Sequence, residues 1–197
     1  VQAAWRGCNC LGFELNPYAA LAARVKLAAP RLNLDPLGQA IAQMQKAASG
    51  WRTAPPDGQW HPPGFRSRIP FFSPRVERQV LHLLAFIAKL AQPEIADVFR
   101  VAFGSVMVSF SNYTYEPSLG SRPGADKPLV EDAEVSEHML AKLLQMRADA
   151  QWVQAQTSGG RHAGKWQVRN ADFFTGQAGL APGSVRLALT SPPYLNN

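Results

Sequence analysis

The sequence has few cysteines and no long apolar run, and both absences exclude classes of protein. Cys8 and Cys10 are its only cysteines, so it lacks the second cluster of a structural zinc site and the framework of a disulfide-rich secreted domain. We expect both to be small buried residues in a reducing cytosol. No apolar run approaches the roughly 20 residues of a membrane span, and no signal peptide opens the chain. A cytoplasmic protein with no membrane partner is predicted.

Acidic residues are outnumbered by basic ones. The 197 residues carry 20 Lys and Arg against 14 Asp and Glu, a formal net charge of +6. A basic balance is compatible with a polyanionic partner such as nucleic acid, although many basic proteins bind none. Histidines are scattered along the chain, and no metal site is predicted from them: His61, His82, His138 and His162.

The first 30 residues predict a strand followed by a helix. Residues 10–15 form a short apolar stretch that ends beside Glu14, as a buried parallel strand can. Asn16 is a good helix N-cap and Pro17 suits the first helical turn. The alanine-rich sequence that follows favours a helix up to Pro30.

The middle of the chain predicts helices separated by loops rich in Pro and Gly. Val76, Val80 and Leu83 illustrate the apolar spacing of a helix that begins at Pro74. The other predicted helices span residues 36–48, 94–110 and 129–156, with loops over residues 49–73 and 111–128.

Two strands are predicted near the end of the chain. "WQVRNADFF" ends near Asp172, and "SVRLALTS" delivers Ser191 to its carboxyl end. In open α/β sheets, ligands bind outside the carboxyl ends of the strands. Glu14, Asp172 and the Ser-Pro-Pro-Tyr run at residues 191–194 are therefore candidates for one functional site.

Three segments, "LGFELNPYAALAARVK", "VRNADFF" and "LALTSPPYLNN", together resemble the amino-methylating DNA methyltransferases. These enzymes transfer a methyl group from S-adenosylmethionine to the exocyclic amine of cytosine or adenine. The resemblance covers the two ends of the chain and is most specific at the Ser-Pro-Pro-Tyr run. It implies an α/β fold with a Rossmann-like sheet, formed by residues 1–30 and 165–197. A helical insertion over residues 31–164 would separate the second strand from the third.

The resemblance also implies roles for residues at the cofactor. Glu14 would accept hydrogen bonds from the ribose hydroxyls of S-adenosylmethionine, as an acid does in dinucleotide folds. Leu15 and Pro17 would pack against the adenine ring. Asp172 would accept from the adenine amino group, flanked by Phe173.

The remaining motif would act on the target base. The Ser191 hydroxyl and the Pro192 carbonyl can both accept hydrogen bonds from an exocyclic amine, which is otherwise a poor nucleophile. Pro193 stiffens the turn, so that these acceptors need no reorganisation. Tyr194 offers a flat face on which a flipped base can stack. Double-stranded DNA is the implied substrate, and a cognate restriction endonuclease is a partner that such enzymes can have.

Two features of the family are missing. The glycine-rich loop expected after the first strand does not precede Glu14, and the strands expected after Tyr194 are absent. We therefore expect this chain to be a piece of a longer enzyme, truncated at both ends. By itself it should be inactive and should bind the cofactor weakly.

Three other functions stay open. Ser191 favours cytosine N4 as the acceptor, because Asp or Asn is commoner at this position in adenine-N6 enzymes, but adenine N6 is the alternative. A related motif, usually with Asn in place of Ser, methylates glutamine side chains of proteins. The third alternative is a non-catalytic remnant that binds DNA or a partner.

The loops of the insertion allow two interpretations. Their arginines and aromatic residues suit phosphate contact and base stacking, or the aromatic residues fill the core of the insertion itself. The residues concerned are Arg52, Arg66, Arg68, Arg122 and Lys127, with Trp51, Trp60, Phe65, Phe71, Phe72 and Tyr115.

Overall fold

The computed structural model describes residues 1–55, 69–115, 119–157, 164–176 and 180–190. Within these ranges the chain combines α-helices with two small sheets. The elements are α1 (Gln2–Trp5), β1 (Cys10–Phe13), α2 (Pro17–Ala28), α3 (Leu34–Ala48), α4 (Pro74–Ala88), α5 (Pro93–Val106), β2 (Tyr113–Tyr115), β3 (Leu119–Ser121), α6 (Val135–Thr157), β4 (Trp166–Arg169) and α7 (Phe173–Gly176). Short 3₁₀ turns lie at Ala29–Arg31 and Pro123–Ala125.

The first sheet joins the two ends of the chain. β1 pairs in parallel with β4, and the register runs from Cys10 opposite Trp166 to Phe13 opposite Arg169. All the helices from α2 to α6 lie between these two strands in the sequence. The second sheet is the antiparallel hairpin β2–β3, with Tyr115 opposite Leu119, and it lies where the sequence predicted a loop.

The hydrophobic core lies among the helices. α4 buries the side chains that its apolar spacing predicted, from Val76 and Val80 to Leu83 and Ile87. α3, α5 and α6 contribute most of the remaining core. Its large side chains with less than 2% exposure include Leu37, Met44, Leu83, Phe99, Phe110, Met139 and Leu143.

α2 is held against α5 by Tyr18. The Tyr18 hydroxyl donates a hydrogen bond to the carbonyl of Val101 at 3.0 Å. A Cβ at Gly104 would lie 2.2 Å from the Tyr18 ring, so the ring occupies space that any other residue would fill. Glycine is therefore required at this point of α5, where the two helices approach each other closely.

Two predicted helices have different ends in the structure, α6 because of long-range hydrogen bonds and α5 beside a local one. The backbone N–H of Val130 donates to Asn112 Oδ1 at 3.0 Å, and that of Val135 donates to Gln79 Oε1 at 3.3 Å. These bonds hold the preceding segment outside α6, which begins at Val135 rather than near residue 129. α5 ends at Val106, and the Ser109 hydroxyl donates back to its carbonyl at 2.6 Å.

The strand predicted over residues 184–191 is wrong for its described part. No strand is assigned over residues 184–190, and Val185, Leu187 and Leu189 are 57%, 72% and 85% exposed. A strand forms only against a hydrogen-bonded neighbour, and among the described residues no strand pairs with this segment. The sheet that joins the chain ends therefore has two strands here, β1 and β4.

The cysteine prediction also needs correction. Both thiols are free, but Cys8 is exposed and Cys10 is half-buried, because Cys8 lies in the turn between α1 and β1. Among the described helices, none is both long enough and apolar enough to cross a membrane.

Candidate functional site

The parallel pairing of β1 and β4 brings the segments that follow them to one edge of the sheet. The register continues past the last paired residues, because the backbone N–H of Glu14 donates to the carbonyl of Arg169 at 3.0 Å. Glu14 and the turn leading to Asp172 are therefore neighbours, although they lie at opposite ends of the sequence. This is the edge where open parallel sheets bind ligands.

Asn170 connects the two segments directly. Its Nδ2 atom donates hydrogen bonds to the carbonyls of Glu14 at 2.8 Å and Leu15 at 3.0 Å. Sequence reasoning missed this residue. The available signal was an Asn directly after an apolar strand, because Asn favours turns and hydrogen-bonds to nearby backbone groups. The neighbouring sequence does not indicate that its partners are the carbonyls of Glu14 and Leu15.

Glu14 has one oxygen engaged and one available. Its Oε1 accepts from the backbone N–H of Asn16 at 2.8 Å. Asn16 in turn caps α2, accepting from the N–H groups of Tyr18 and Ala19 at 2.9 and 3.2 Å, which confirms the predicted N-cap. Within the described residues Glu14 Oε2 accepts no hydrogen bond, so a ligand donor can approach it.

Asp172 is arranged in the same way. Its Oδ1 accepts from the backbone N–H of Phe174 at 2.7 Å, and its carbonyl accepts from the N–H of Gly176 at 2.7 Å. These bonds form the single turn of α7. Oδ2 accepts no hydrogen bond among the described residues. Each carboxylate is thus fixed by local backbone while presenting a second oxygen.

Aromatic and apolar side chains surround the two carboxylates. Phe173 meets Phe13 edge-on with ring centroids 5.3 Å apart, and the Arg169 guanidinium lies 5.7 Å from the centre of the Phe13 ring. Phe173 and Leu15 remain 49% and 68% exposed. Pro17 begins α2 and is also exposed. Apolar surface therefore adjoins the hydrogen-bond acceptors, as a flat heterocyclic ligand would require.

The Ser191, Pro192, Pro193 and Tyr194 motif lies outside the described residues. So do four residues of the insertion loops that the sequence suggested for DNA contact: Trp60, Phe65, Arg66 and Arg68.

The described aromatic residues of the insertion loops mostly fill its core. Trp51 and Phe72 are 5% and 3% exposed, and Phe71 packs against both Phe72 and Tyr113. Tyr115 is different, because it is 65% exposed. For Trp51, Phe71 and Phe72 the structure favours the interpretation that they pack within the insertion.

Two of the loop arginines also have structural partners. Arg52 forms ion pairs with Asp132 and Glu134. Arg122 donates from Nε to the carbonyl of Ser111 at 2.9 Å and from Nη2 to that of Ser109 at 3.3 Å. Both therefore hold loops together, whatever else they contact.

Near this edge, the pKa of the Tyr18 phenol is raised above its ordinary value. Partial burial raises the pKa of its phenol, and the charge of Tyr115 raises it further. The hydrogen bond to Val101 acts in the same direction because only the neutral phenol donates it.

A pocket of about 370 Å³ lies at the opposite end of β4, near Gly164 and Trp166. Its lining combines Arg31 and Lys165 with Glu94, so it has no consistent charge. It is separate from the edge that carries Glu14 and Asp172.

Across the described ranges, no three His, Cys, Asp or Glu side chains are grouped as metal ligands. Comparison of the chain with protein-family models, curated proteins and solved structures finds no match.

Proposed function

We propose that this chain is part of a DNA methyltransferase that transfers a methyl group from S-adenosylmethionine to an exocyclic base amine. One observation carries the proposal. The parallel pairing of β1 with β4 brings Glu14 and Asp172 to one sheet edge from opposite ends of the sequence, as a shared cofactor site requires. The fold we propose is a Rossmann-like sheet in which β1 and β4 are adjacent strands.

The residues at this edge fit the cofactor chemically. Glu14 Oε2 is an acceptor for ribose hydroxyls, and Asp172 Oδ2 is an acceptor for the adenine amino group. Leu15, Pro17 and Phe173 supply exposed apolar surface for the adenine ring. Asn170 positions the backbone between the two carboxylates. The cofactor supplies the electrophilic methyl group, and the chain binds and orients it.

The Ser-Pro-Pro-Tyr motif would hold the target base. The Ser191 hydroxyl and the Pro192 carbonyl accept from the amine hydrogens and favour a tetrahedral, more nucleophilic nitrogen. Pro193 keeps the turn rigid, and Tyr194 stacks on the flipped base. No covalent nucleophile is needed. Ser191 in place of Asp or Asn favours cytosine N4 as the acceptor.

Mass spectrometry of host DNA tests the reaction. The complete reading frame that encodes this chain is expressed in a host lacking both methylated bases, and its DNA is digested to nucleosides. We expect N4-methylcytosine from the wild type and its loss with Tyr194→Ala. N6-methyladenine instead would overturn the choice of base. Methylated glutamine in host protein with unmodified DNA would overturn DNA as the substrate.

Calorimetry tests the cofactor site separately. Glu14→Gln in the complete enzyme should weaken S-adenosylmethionine binding by roughly 10- to 100-fold, because a charged acceptor is lost. Glu137→Gln, an exposed acid on α6, is the matched control and should leave the affinity unchanged. Equal affinity of the Glu14→Gln and wild-type enzymes would show that this edge does not bind the cofactor.

A further inference from the structure

The start of α2 connects the candidate site to the helical part of the chain. Glu14 Oε1 accepts from the backbone N–H of Asn16 at 2.8 Å, and Asn16 Oδ1 accepts from the N–H of Tyr18 at 2.9 Å. The position of the Glu14 carboxylate therefore depends on the backbone at the first turn of α2. Tyr18 also contacts α5, so this turn is tied to a second helix.

The Tyr18 ring lies over a glycine of α5. A Cβ at Gly104 would lie 2.2 Å from Cε2 of the ring and 2.9 Å from both Cδ2 and Cζ, so the ring occupies the place of a side chain there. The hydroxyl donates to the carbonyl of Val101, one turn earlier on α5, at 3.0 Å. Residues three apart share a face of a helix. The ring and the hydroxyl of Tyr18 therefore contact one face of α5 and together fix the orientation of this side chain.

α5 is a well-buried support for this contact. Its residues Phe99 and Ala102 have no exposed surface, and Val98 is 2% exposed. They belong to the hydrophobic core that α5 shares with α3, α4 and α6. Because core side chains are closely packed, a shift of α5 would disturb many contacts at once. The contact with Tyr18 therefore ties the start of α2 to a part of the chain that is itself held firmly.

The sheet supports the same segment from its other end. Asn170 donates hydrogen bonds to the carbonyls of Glu14 and Leu15, which holds the backbone where β1 ends. The contacts of Tyr18 hold the backbone where α2 begins. The segment from Glu14 to Tyr18 is therefore held at both ends, once by the sheet and once by the helical insertion.

We propose that Tyr18 is a positioning residue for the candidate site, because its ring, seated on Gly104, fixes the start of α2 and with it the Glu14 carboxylate. This inference rests on the proposed function for its ligand, S-adenosylmethionine, and it gives the helical insertion a part in binding that ligand. Tyr18 acts through Asn16 and does not touch the cofactor. An acceptor that is already oriented loses less conformational freedom on binding, so it binds the ribose more tightly.

Gly104→Ala tests this role without altering Tyr18 or Glu14. The added Cβ would overlap the Tyr18 ring, which is 39% exposed and can turn outward into solvent. Alanine is a better helix former than glycine, so the variant should remain folded, and thermal unfolding checks this. Gly38→Ala on α3 is the matched control. Its Cβ would lie 3.7 Å from Arg147 Nε, an ordinary contact that displaces nothing.

Hydrogen exchange in the complete protein measures the positioning directly. Gly104→Ala and Tyr18→Ala should each raise the exchange rates of the Asn16 and Ala19 N–H groups by roughly 2- to 12-fold, because the turn opens more easily without its contact to α5. Tyr18→Phe keeps the ring and should stay within about 2-fold of the wild type. Gly38→Ala should exchange like the wild type. Unchanged rates at both N–H groups in Gly104→Ala would overturn the inference.

Calorimetry on the same variants measures the consequence for the ligand. The affinity for S-adenosylmethionine should fall by roughly 2- to 12-fold in Gly104→Ala and in Tyr18→Ala, and it should be retained in Tyr18→Phe and Gly38→Ala. The double variant of Gly104→Ala with Tyr18→Ala should lose no more affinity than Tyr18→Ala alone, because both changes remove the same contact. Additive losses would show that the two residues act separately, contrary to the inference.

The outcomes separate this inference from the proposed function. If Glu14→Gln weakens S-adenosylmethionine binding and Gly104→Ala does not, Tyr18 is not a positioning residue and the proposed cofactor site stands. If the wild type binds no S-adenosylmethionine but Gly104→Ala speeds exchange at Asn16 and Ala19, Tyr18 positions the turn and the proposed function is wrong.

Discussion

The helical part of the chain and its two-stranded sheet differ in how they bury their apolar side chains. Among the helices, Phe99, Phe110 and Leu143 are completely buried. At the sheet edge and in the segment after it, Phe174 is 82% exposed and Leu189 is 85% exposed. Stability therefore comes mainly from the helices, whereas the candidate chemistry lies where burial is poor. Ligand-binding loops and active-site segments commonly lie in such less stable regions of a protein.

The largest expected effect is on the helical core. Phe99→Ala should lower the free energy of unfolding by about 3–5 kcal/mol, because it removes a buried ring and leaves a cavity. Leu187→Ala, at a position 72% exposed, should change it by less than about 0.5 kcal/mol. Denaturant titration of both variants measures the difference. Similar losses in the two would contradict the contrast between the regions.

A smaller effect is expected at the base of the hairpin. Asn112→Ala leaves the carbonyl of Pro70 and the N–H of Val130 without their side-chain partner. The cost should be about 1–3 kcal/mol of unfolding free energy. Gln156→Ala, an exposed amide on α6, is the control in the same denaturant titration. A neutral Asn112→Ala variant would mean that the hydrogen bonds of this side chain do not stabilise the base of the hairpin.

Asn170 should affect ligand binding more than stability. Asn170→Ala removes two hydrogen bonds to the turn after β1, and that turn is exposed. We expect a roughly 2- to 12-fold loss of cofactor affinity in the complete enzyme, equivalent to about 0.5–1.5 kcal/mol. Calorimetry gives the affinity and thermal unfolding gives the stability. A large drop in stability with unchanged affinity would reverse this assignment.

The smallest effect concerns pH. The pKa of Tyr18 is raised above its ordinary value of 10.0 in the folded chain, so folding favours the neutral phenol. Its contribution to stability is complete below the unfolded pKa and is lost as the pH rises through the higher folded pKa. Unfolding measured from about pH 9 to about pH 11 should show this loss, and Tyr18→Phe should reduce it. An identical alkaline profile in Tyr18→Phe would show that other groups are responsible.

Local sequence signals predicted the helices better than their ends. The apolar spacing of α4, its start at Pro74 and the Asn16 cap of α2 all depend on neighbouring residues, and the structure has them as predicted. The start of α6 was misplaced because Gln79 and Asn112 hold the preceding backbone by bonds from distant parts of the chain. The residues near position 129 do not by themselves indicate that these distant side chains bond to the backbone there.

The candidate site shows the same limit. Glu14 and Asp172 could be proposed because each follows an apolar strand. Asn170 could not, because its partners are the carbonyls of residues 156 and 155 positions away. The segment over residues 184–190 has a strand-like sequence. A strand also needs a hydrogen-bonded neighbouring strand, and the local sequence pattern does not indicate whether one is present. For Tyr115 the sequence left base stacking and core packing open, because the exposure of a side chain is a property of the folded chain.

The long sequence separation between β1 and β4 also has a consequence for synthesis on the ribosome. Cys10 pairs with a neighbour at Trp166, so β1 leaves the ribosome long before its partner exists. At about 5–20 residues per second, the delay is roughly 8–30 s. During that time the helices can form their local contacts and build the core, whereas β1 has an unpaired edge. The edge that carries Glu14 and Asp172 is therefore assembled only after the helices between β1 and β4 have been synthesised.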